Sequence, residues 1–478
     1  MTKKALLKPF DTQKNMKKFD IITIGSGGGA KISSPAASQG LKVAVIEKDR
    51  LGGTCLNRGC IPSKMLIHPA DVAIEIKEAH RFDIRNNPQF NVDFAKLVNR
   101  ISQTVDADSN KIEANYNSHP NISFFRGTAK FIDNKTIEIN NEQITADKIF
   151  IAVGTRPTIP NIPGLVGAPF MTSTEALRNT TLPSSMIIIG GGYIACELGH
   201  AYGALGTKTT FLVRSKLLRA LDAEVAAEFQ NVFSRYHDIR LGALPTQVEY
   251  SNDTFTVHYT QDGKNLTVSA QSLLIATGIT SNVDTLDLIN TDIEINPGNF
   301  IKVNEHLETC VPGVFSLGDC IGKYFFRHSV NFEGEYLFDY IFGGKPKSPI
   351  HYPPMPHAVF THPQVAGVGA TEEDLKTRGI DYVVGLNTYK SSAMGMALLS
   401  DHGFCKILID RKTHQLLGGH IIGPEASNMI HMIIAYMNMN ATLDDMLRTI
   451  YIHPALPEIV RNSARKAKSA LDKNIVRV

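Results

Sequence analysis

The sequence predicts an α/β protein with two Rossmann-like dinucleotide-binding domains and a C-terminal α+β domain. A glycine-rich turn between a short apolar strand and a helix follows Ile24 and recurs after Ile189. Near the C-terminus, FCKILID and LLGGHIIG alternate like antiparallel strands with one buried face. The 478 residues suffice for about three domains.

Composition narrows the possible functions. The 49 Lys and Arg nearly balance the 46 Asp and Glu, and the net charge of +3 argues against nucleic-acid binding. No apolar run reaches the roughly 18 residues that a membrane helix needs. Residues 1–17 are expected to form a flexible, lysine-rich arm without the apolar stretch of a secretory signal, which favours a cytoplasmic protein.

The first turn has the features of a dinucleotide-binding fingerprint. Gly25 suits the tight turn, Gly27 lets the backbone approach a pyrophosphate, and the following helix directs its N-terminus at that charge. Glu47, 22 positions after Gly25, ends the next strand and would accept hydrogen bonds from an adenosine ribose. Pro35 conflicts with the helix. The alternative is a glycine-rich turn in another type of α/β domain.

The second turn, GGGYIA at residues 190–195, predicts a second dinucleotide site around Gly190 and Gly192. The strand after it is followed by Arg214 instead of an acid, and Arg219 lies close behind. An arginine here can pair with a 2′-phosphate, so we expect NADP(H) in preference to NAD(H). The alternative is that these cations only form a solvated surface.

Cys55 and Cys60, beside the first domain, are separated by four residues. A zinc site would need a second ligand pair, which the neighbouring sequence lacks, so no metal is predicted. A structural disulfide is unusual in a cytoplasmic chain, and inert thiols would not explain the glycines around them. We therefore interpret the pair as a redox-active disulfide beside a flavin, with a helix start that favours the thiolate.

The segment GGTCLNRGCIPSK resembles the FAD-dependent pyridine-nucleotide disulfide oxidoreductases, the family of dihydrolipoyl dehydrogenase, glutathione reductase, mycothione reductase and mercuric reductase. The resemblance extends from about Phe19 to about Arg465. It includes AVGTRP at 152–157, ATG at 276–278, TCVPGVFSLGD at 309–319 and IHPALPE at 452–458.

The resemblance implies a role for each matching residue. Cys55 would exchange with substrate, Cys60 would face the flavin, and His453 would act as acid and base. Glu458 would orient His453, while Lys64 and Glu197 would form an ion pair beside the flavin. The implied cofactor contacts are Gly25, Gly27, Gly28, Glu47, Gly53, Thr54, Gly154 and Asp319 for FAD, and Gly190, Gly192, Arg214, Arg219 and Gly278 for NAD(P).

The resemblance also implies the domain organisation. An FAD-binding domain would cover 18–155 and 280–350, an NAD(P)-binding domain 156–279, and a dimerisation domain 351–478. The family shares its active site between subunits, so a homodimer is expected, and the helix after Ser427 would help to bury its contact. Cys196, Cys310, Cys320 and Cys405 are expected to be buried structural thiols.

The motifs disagree about the substrate. Ser63 is the residue that dihydrolipoyl dehydrogenases carry at this position, but Arg214 argues against a plain member of that group, which usually has an acid one position earlier and uses NAD. The segment around His453 resembles NADPH-dependent mycothione reductases. The tail has no cysteine pair, which disfavours mercuric reductase, and Ile279 and Ser281 depart from the usual family pattern. The expected function is that of a dihydrolipoyl dehydrogenase-type oxidoreductase acting on a small disulfide or dithiol or on a lipoyl-bearing protein. The alternative is an NADPH-dependent reductase of a low-molecular-weight disulfide.

Overall fold

A computed structural model describes residues 16–85, 90–344 and 348–477. Two compact units divide the described residues. The first unit contains Met1–Asn57, Thr104–Arg156 and Ile279–His351, and the second contains Arg58–Gln103, Pro157–Gly278 and Tyr352–Val478, each over its described residues. No helix within the described ranges is both long and apolar enough to cross a membrane.

The strands of the described residues are, in chain order, β1 Lys17–Ile24, β2 Val43–Glu47, β3 Ile122–Arg126, β4 Lys130–Phe131, β5 Thr136–Ile139, β6 Glu142–Ile151, β7 Thr155–Pro157, β8 Ser185–Ile189, β9 Lys208–Val213, β10 Asp238–Leu241, β11 Leu244–Ser251, β12 Thr254–Gln261, β13 Lys264–Ala270, β14 Ser272–Ile275, β15 Ile279–Ser281, β16 Val314–Ser316, β17 His357–Val359, β18 Val365–Gly369, β19 Tyr382–Thr388, β20 Phe404–Asp410 and β21 Leu416–Ile422.

The α-helices of the described residues are α1 Ala30–Ser38, α2 Gly53–Arg58, α3 Cys60–Glu78, α4 Phe94–Ser118, α5 Ser173–Ala176, α6 Tyr193–Leu205, α7 Ala223–Phe233, α8 Arg327–Phe342, α9 Glu372–Thr377, α10 Ala393–Ala397, α11 Ala426–Asn438, α12 Leu443–Arg448 and α13 Glu458–Asp472.

The first unit is built on a largely parallel sheet. Its strands run in the order β3-β2-β1-β6, β16 joins β6 in parallel, and β5 and β4 continue the sheet as antiparallel strands. The last four residues of β1, three isoleucines and Thr23, are all buried, because both faces of a parallel sheet are covered. The carboxyl ends of β1, β2, β6 and β16 meet at one edge, which is where ligands bind in such sheets.

Two local expectations concern the start of this unit. Lys17, which the sequence places in the arm, already belongs to β1 and pairs with Ile144. The rest of the predicted arm, residues 1–15, lies outside the described residues. Helix α1 continues through Pro35 despite the hydrogen bond that proline removes, with Ile32 and Ala36 fully buried. Burial of this apolar face offsets the local conflict.

The nucleotide-binding part of the second unit has a parallel sheet of order β10-β9-β8-β14 and a separate antiparallel sheet of order β11-β12-β13. β8 lies between β9 and β14, so Ile189 pairs with both Leu212 and Ile275. The turn after β8 and the residue after β9 therefore reach the same sheet edge. With two such nucleotide-binding arrangements and a C-terminal α+β part, the predicted fold class is confirmed.

The C-terminal part of this unit contains an antiparallel sheet of order β17-β18-β21-β20-β19. The prediction of one buried face for β20 and β21 is wrong, because nearly every residue of both strands is buried. These two strands are central in the sheet, and apolar clusters cover both faces. Alternation of apolar and polar residues usually indicates a strand with one exposed face. It does not indicate an exposed face when the polar residue is itself buried against a charged or hydrogen-bonding partner.

Lys406 of β20 is such a residue. Its side chain is 1% exposed and its ammonium lies 2.9 Å from Asp222, which is fully buried, and 3.2 Å from Glu224. It also contacts Glu372. Burial alone would lower the pKa of Lys406, but the hydrogen bond that its ammonium donates to Glu372 and the charge of Asp222 outweigh this effect and raise the pKa.

We predict that Lys406→Met destabilises the protein strongly, because it leaves the carboxylate of Asp222 buried without its main counter-ion. A cost of about 3–5 kcal/mol is typical for this kind of change. Differential scanning fluorimetry should show a fall in Tm of several degrees. The matched control is Lys302→Met, since Lys302 pairs with Glu294 in an exposed ion pair and should cost under about 1 kcal/mol. Equal Tm values for the two variants would contradict the prediction.

Candidate active site

Several glycines in and beside the turn after β1 leave no room for a side chain. Gly25 has φ +100°, and a Cβ there would lie 2.2 Å from the carbonyl oxygen of Ala152. Gly53, with φ +70°, lies so close to the turn that its Cβ would be 2.6 Å from the Cα of Gly27. A Cβ on Gly28 would lie 2.5 Å from Val330. Bare backbone thus surrounds the start of α1, which suits a pyrophosphate.

Glu47 ends β2 at the same edge, and the turn itself orients its carboxylate. One oxygen, Oε2, accepts hydrogen bonds from the backbone N–H and the hydroxyl of Ser26 at 3.0 and 2.8 Å. The other, Oε1, accepts one from the backbone N–H of Asp49 at 3.0 Å. The sequence analysis did not identify Ser26, although a hydroxyl inside the fingerprint was a visible signal. An open pocket beside Glu47 is lined by Ile24, Gly25, Lys48, Val153 and Leu286.

Asp319 lies in the turn after β16, again at this edge. The Thr155 hydroxyl donates a hydrogen bond to its Oδ2 at 2.9 Å. Burial raises the pKa of Asp319, and the bond from Thr155 opposes that shift. Gly154 beside it has φ +64°, a conformation that glycine adopts without strain.

These features of the first unit fit FAD. The glycine cradle would hold the pyrophosphate, the pocket beside Glu47 would accept the adenosine, and Asp319 would bind the ribitol chain. A Cβ on Gly25, Gly28 or Gly53 would collide with other parts of the protein, so only bare backbone can form this cradle. The fit therefore rests on close backbone approaches as well as on the motif.

The predicted redox cysteines lie on consecutive helices. Thr54 and Cys55 are in the first turn of α2, with the side chain of Cys55 half-buried. Cys60 is exposed and is the first residue of α3, after a break at Gly59. A thiol at a helix N-terminus lies in the positive end of the helix dipole, which favours the reactive thiolate.

The other four cysteines lie in different environments from those of Cys55 and Cys60. Cys196, Cys320 and Cys405 are buried, and burial raises the pKa of Cys320 to about 11 and of Cys405 to about 12. Burial also raises the pKa of Cys196. The expectation of a buried thiol is wrong for Cys310, which is exposed in the loop before β16. Isolated cysteines carry no periodic signal that distinguishes a loop position from a core position.

The ion pair that the resemblance predicts is present within the second unit. Lys64 of α3 donates a hydrogen bond to Oε2 of Glu197 on α6 at 2.7 Å. Phe360, which the sequence analysis did not identify, completes the arrangement. Its backbone N–H donates to Oε1 of Glu197 at 3.1 Å, and its ring lies 4.4 Å from the Lys64 ammonium. The ammonium and the carboxylate therefore share a third partner from a distant part of the chain.

The second glycine-rich turn has the same backbone requirement as the first. Gly190 has φ +140°, and a Cβ there would lie 2.2 Å from the carbonyl oxygen of Ala276. Gly192 caps α6, and Gly278 has φ +127°; a Cβ at either position would meet open space. The turn thus presents accessible backbone at the carboxyl ends of β8 and β14.

Arg214 follows β9 at this edge, and both Arg214 and Arg219 are exposed. Within the described ranges, neither guanidinium forms an ion pair with a carboxylate. Lys216 between them is exposed as well. The edge therefore presents positive charge, with an arginine and no acid immediately after β9.

His453 and Glu458 are in direct contact. Nδ1 of His453 lies 3.0 Å from Oε2 and 3.1 Å from Oε1 of Glu458. A carboxylate only accepts hydrogen bonds, so Nδ1 carries the proton that this contact requires. Burial would raise the pKa of Glu458, but the N–H of Ala455, His453 and Arg461 together lower it. The sequence analysis did not identify Arg461.

Comparisons with known proteins agree with this geometry. Residues 19–334 match the pyridine nucleotide-disulphide oxidoreductase family, and residues 355–464 match its dimerisation domain. Mycothione reductase from Mycobacterium tuberculosis is 33% identical over 460 residues, 94% of this chain and 99% of its own length. Dihydrolipoyl dehydrogenase from Geobacillus stearothermophilus is 31% identical over 456 residues, 94% of this chain and 96% of its own.

A solved structure shows the same fold. The HOCl-induced flavoprotein disulfide reductase RclA from Escherichia coli matches with a TM-score of 0.82 and 27% identity, over 94% of this chain and 99% of its own. The relatives are flavin-dependent disulfide oxidoreductases that differ in substrate, so they support FAD and a nicotinamide as cofactors. The predicted resemblance is confirmed, and the chain belongs to the pyridine nucleotide-disulphide oxidoreductases.

Proposed function

We propose that this chain moves electrons between a nicotinamide and a substrate disulfide or dithiol through Cys55 and Cys60, as an oxidoreductase of the dihydrolipoyl dehydrogenase type. The observation that carries the proposal is the ion pair of Lys64 and Glu197. It joins α3, which begins at Cys60, to α6, which begins at the second nucleotide turn. A redox cysteine and a nicotinamide-binding turn are thus coupled by one charged contact.

The cysteines would perform the sulfur chemistry. When bound, FAD accepts a hydride from the nicotinamide and passes two electrons to a disulfide. The Cys55 thiolate then attacks the substrate disulfide, forms a mixed disulfide and releases one substrate thiolate. Cys60 attacks the sulfur of Cys55, closes the Cys55–Cys60 bond and releases the second substrate thiolate. The substrate gains two electrons and the cysteine pair loses them.

His453 would supply a proton to each departing thiolate through Nε2, and Glu458 would hold the ring in the required orientation. Running in reverse, the same imidazole would accept the protons of a dithiol. We propose that a homodimer forms through the dimerisation domain, so that His453 of the partner subunit serves Cys55. This is consistent with the 70% exposure of the His453 side chain in one subunit. We also propose that the enzyme acts in the cytoplasm, where a dithiol can persist in its reduced form.

A second candidate is an NADPH-dependent reductase of a low-molecular-weight disulfide. Two observations favour it: Arg214 is exposed at the end of β9, and mycothione reductase is among the relatives. Steady-state assays separate the candidates. Fast oxidation of dihydrolipoamide with NAD(P)⁺ would support the first, and fast NADPH-dependent reduction of a small thiol disulfide, with slow dihydrolipoamide turnover, would support the second.

We predict that Cys55→Ser and Cys60→Ser each reduce disulfide turnover by at least about a thousandfold, because exchange needs both sulfurs. Both variants should still pass electrons from the nicotinamide to ferricyanide, which can take them from the flavin directly. Cys310→Ser is the matched control, since Cys310 is an exposed cysteine outside the proposed chemistry, and it should keep full activity. Disulfide reduction by either active-site variant at the native rate would refute the proposed role.

We predict that Arg214→Glu raises the KM for NADPH about 10–100-fold, because a charge-assisted hydrogen bond to the 2′-phosphate is lost. The KM for NADH, which lacks that phosphate, should change less. Lys264→Glu makes the same change of charge at an exposed position of β13 and should alter neither constant. An equal rise in the KM for NADPH and for NADH in Arg214→Glu would mean that Arg214 does not bind the 2′-phosphate.

A further inference from the structure

Arg461 contacts the acid–base pair but has no role in the proposed function. It lies on α13, one helical turn after Glu458, which is the first residue of that helix. Its Nη2 donates a hydrogen bond to Oε1 of Glu458 at 2.6 Å. The same carboxylate accepts from Nδ1 of His453 and from the backbone N–H of Ala455 at 3.2 Å. Glu458 therefore has three donors, and two of them are cationic when His453 is protonated.

The environment of Arg461 keeps its guanidinium in place. Its side chain is 21% exposed and the Glu458 side chain is 5% exposed, so water screens this contact only weakly. The guanidinium lies 5.7 Å from the ring centre of Tyr451, and Nε has no hydrogen-bond partner among the described residues. The arginine thus depends on one carboxylate and one aromatic ring for its position.

Two further titratable groups near Arg461, Tyr451 and Cys405, carry no charge at neutral pH. Tyr451, from the loop before α13, hydrogen-bonds to Tyr436 of α11, and burial raises the pKa of Tyr451. Cys405 of β20 also faces Tyr451, and burial raises its pKa to about 12. Within the described part of the chain, Arg461 is then the permanent positive charge on Glu458.

The contact has two consequences for a proton-transferring histidine. A bond to Oε1 fixes the rotation of the carboxylate, so both oxygens stay near Nδ1 of His453. The positive charge of Arg461 also offsets part of the negative charge that would otherwise hold the proton on His453. Without Arg461, the full negative charge of Glu458 would make the proton on His453 harder to release. Without Glu458, the imidazole ring of His453 would be free to rotate.

We propose that Arg461 is a positioning residue of the acid–base pair. Its guanidinium holds the Glu458 carboxylate against His453 and offsets part of the negative charge of that carboxylate, so that His453 can both accept and release a proton. This inference rests on the proposed role of His453.

The test compares Arg461→Met, which removes the charge but keeps much of the length, with Arg461→Lys, which keeps the charge. The reduced, FAD-loaded enzyme is mixed with lipoamide, the disulfide form of dihydrolipoamide. The readout is the pH dependence of the rate at which the enzyme is re-oxidised, followed by stopped-flow absorbance. For Arg461→Met we expect the midpoint of this profile to move to higher pH by about one unit. Arg461→Lys should restore most of the shift, and Arg465→Met, the same change at an exposed position one turn later, should leave the profile unchanged.

A second comparison guards against a purely structural effect. In a Glu458→Gln background there is no carboxylate for Arg461 to hold in place, so adding Arg461→Met should shift the midpoint less than it does in the native background, leaving only the direct effect of the arginine charge on His453. A native midpoint in Arg461→Met, or an equal shift in the Glu458→Gln background, would overturn the inference. A different result would refute the proposed function: if a His453→Gln variant reduced disulfides at the native rate, His453 would not be the acid–base residue.

Discussion

The contact between Lys64 and Glu197 holds together helix α3, helix α6 and the segment after β17 in the second unit. Glu197 is mostly buried, and a buried carboxylate is stable only with a counter-ion and filled hydrogen-bonding positions. Lys64 supplies the charge, and Phe360 supplies a backbone donor and an aromatic face. Helix α3, helix α6 and the segment after β17 must therefore keep one relative arrangement. Any shift of one of them leaves a buried charge unpaired.

Buried charge also connects the nucleotide-binding part of this unit to its C-terminal sheet. Lys406 of β20 meets Asp222, which caps α7, and Glu372, at the start of α9. Such contacts are poor sources of stability compared with apolar packing, but they are specific, because only one arrangement satisfies every charge. We infer that ion pairs set the geometry of this unit and that apolar burial supplies most of its stability.

The sequence predicted the local features well. Gly25 and Gly190 follow strands as expected, since a tight turn with positive φ and no room for a Cβ demands glycine. The partner residues were harder to predict. Ser26, Phe360 and Arg461 act through contacts that depend on rotamers or on distant segments, and a short motif encodes neither. The exposure of β20 was mispredicted for the same reason: Lys406 looks like a surface residue until its three carboxylate neighbours are known.

The most direct test of the account is an anaerobic titration of the oxidised, FAD-loaded enzyme with one equivalent of NADPH per subunit. If the electrons pass to the cysteine pair, the main flavin absorbance should largely persist. A new long-wavelength band should then appear from the Cys60 thiolate beside the oxidised flavin. Bleaching of the flavin by the first equivalent, without that band, would mean that the electrons stop at the flavin and would contradict the role assigned to Cys55 and Cys60.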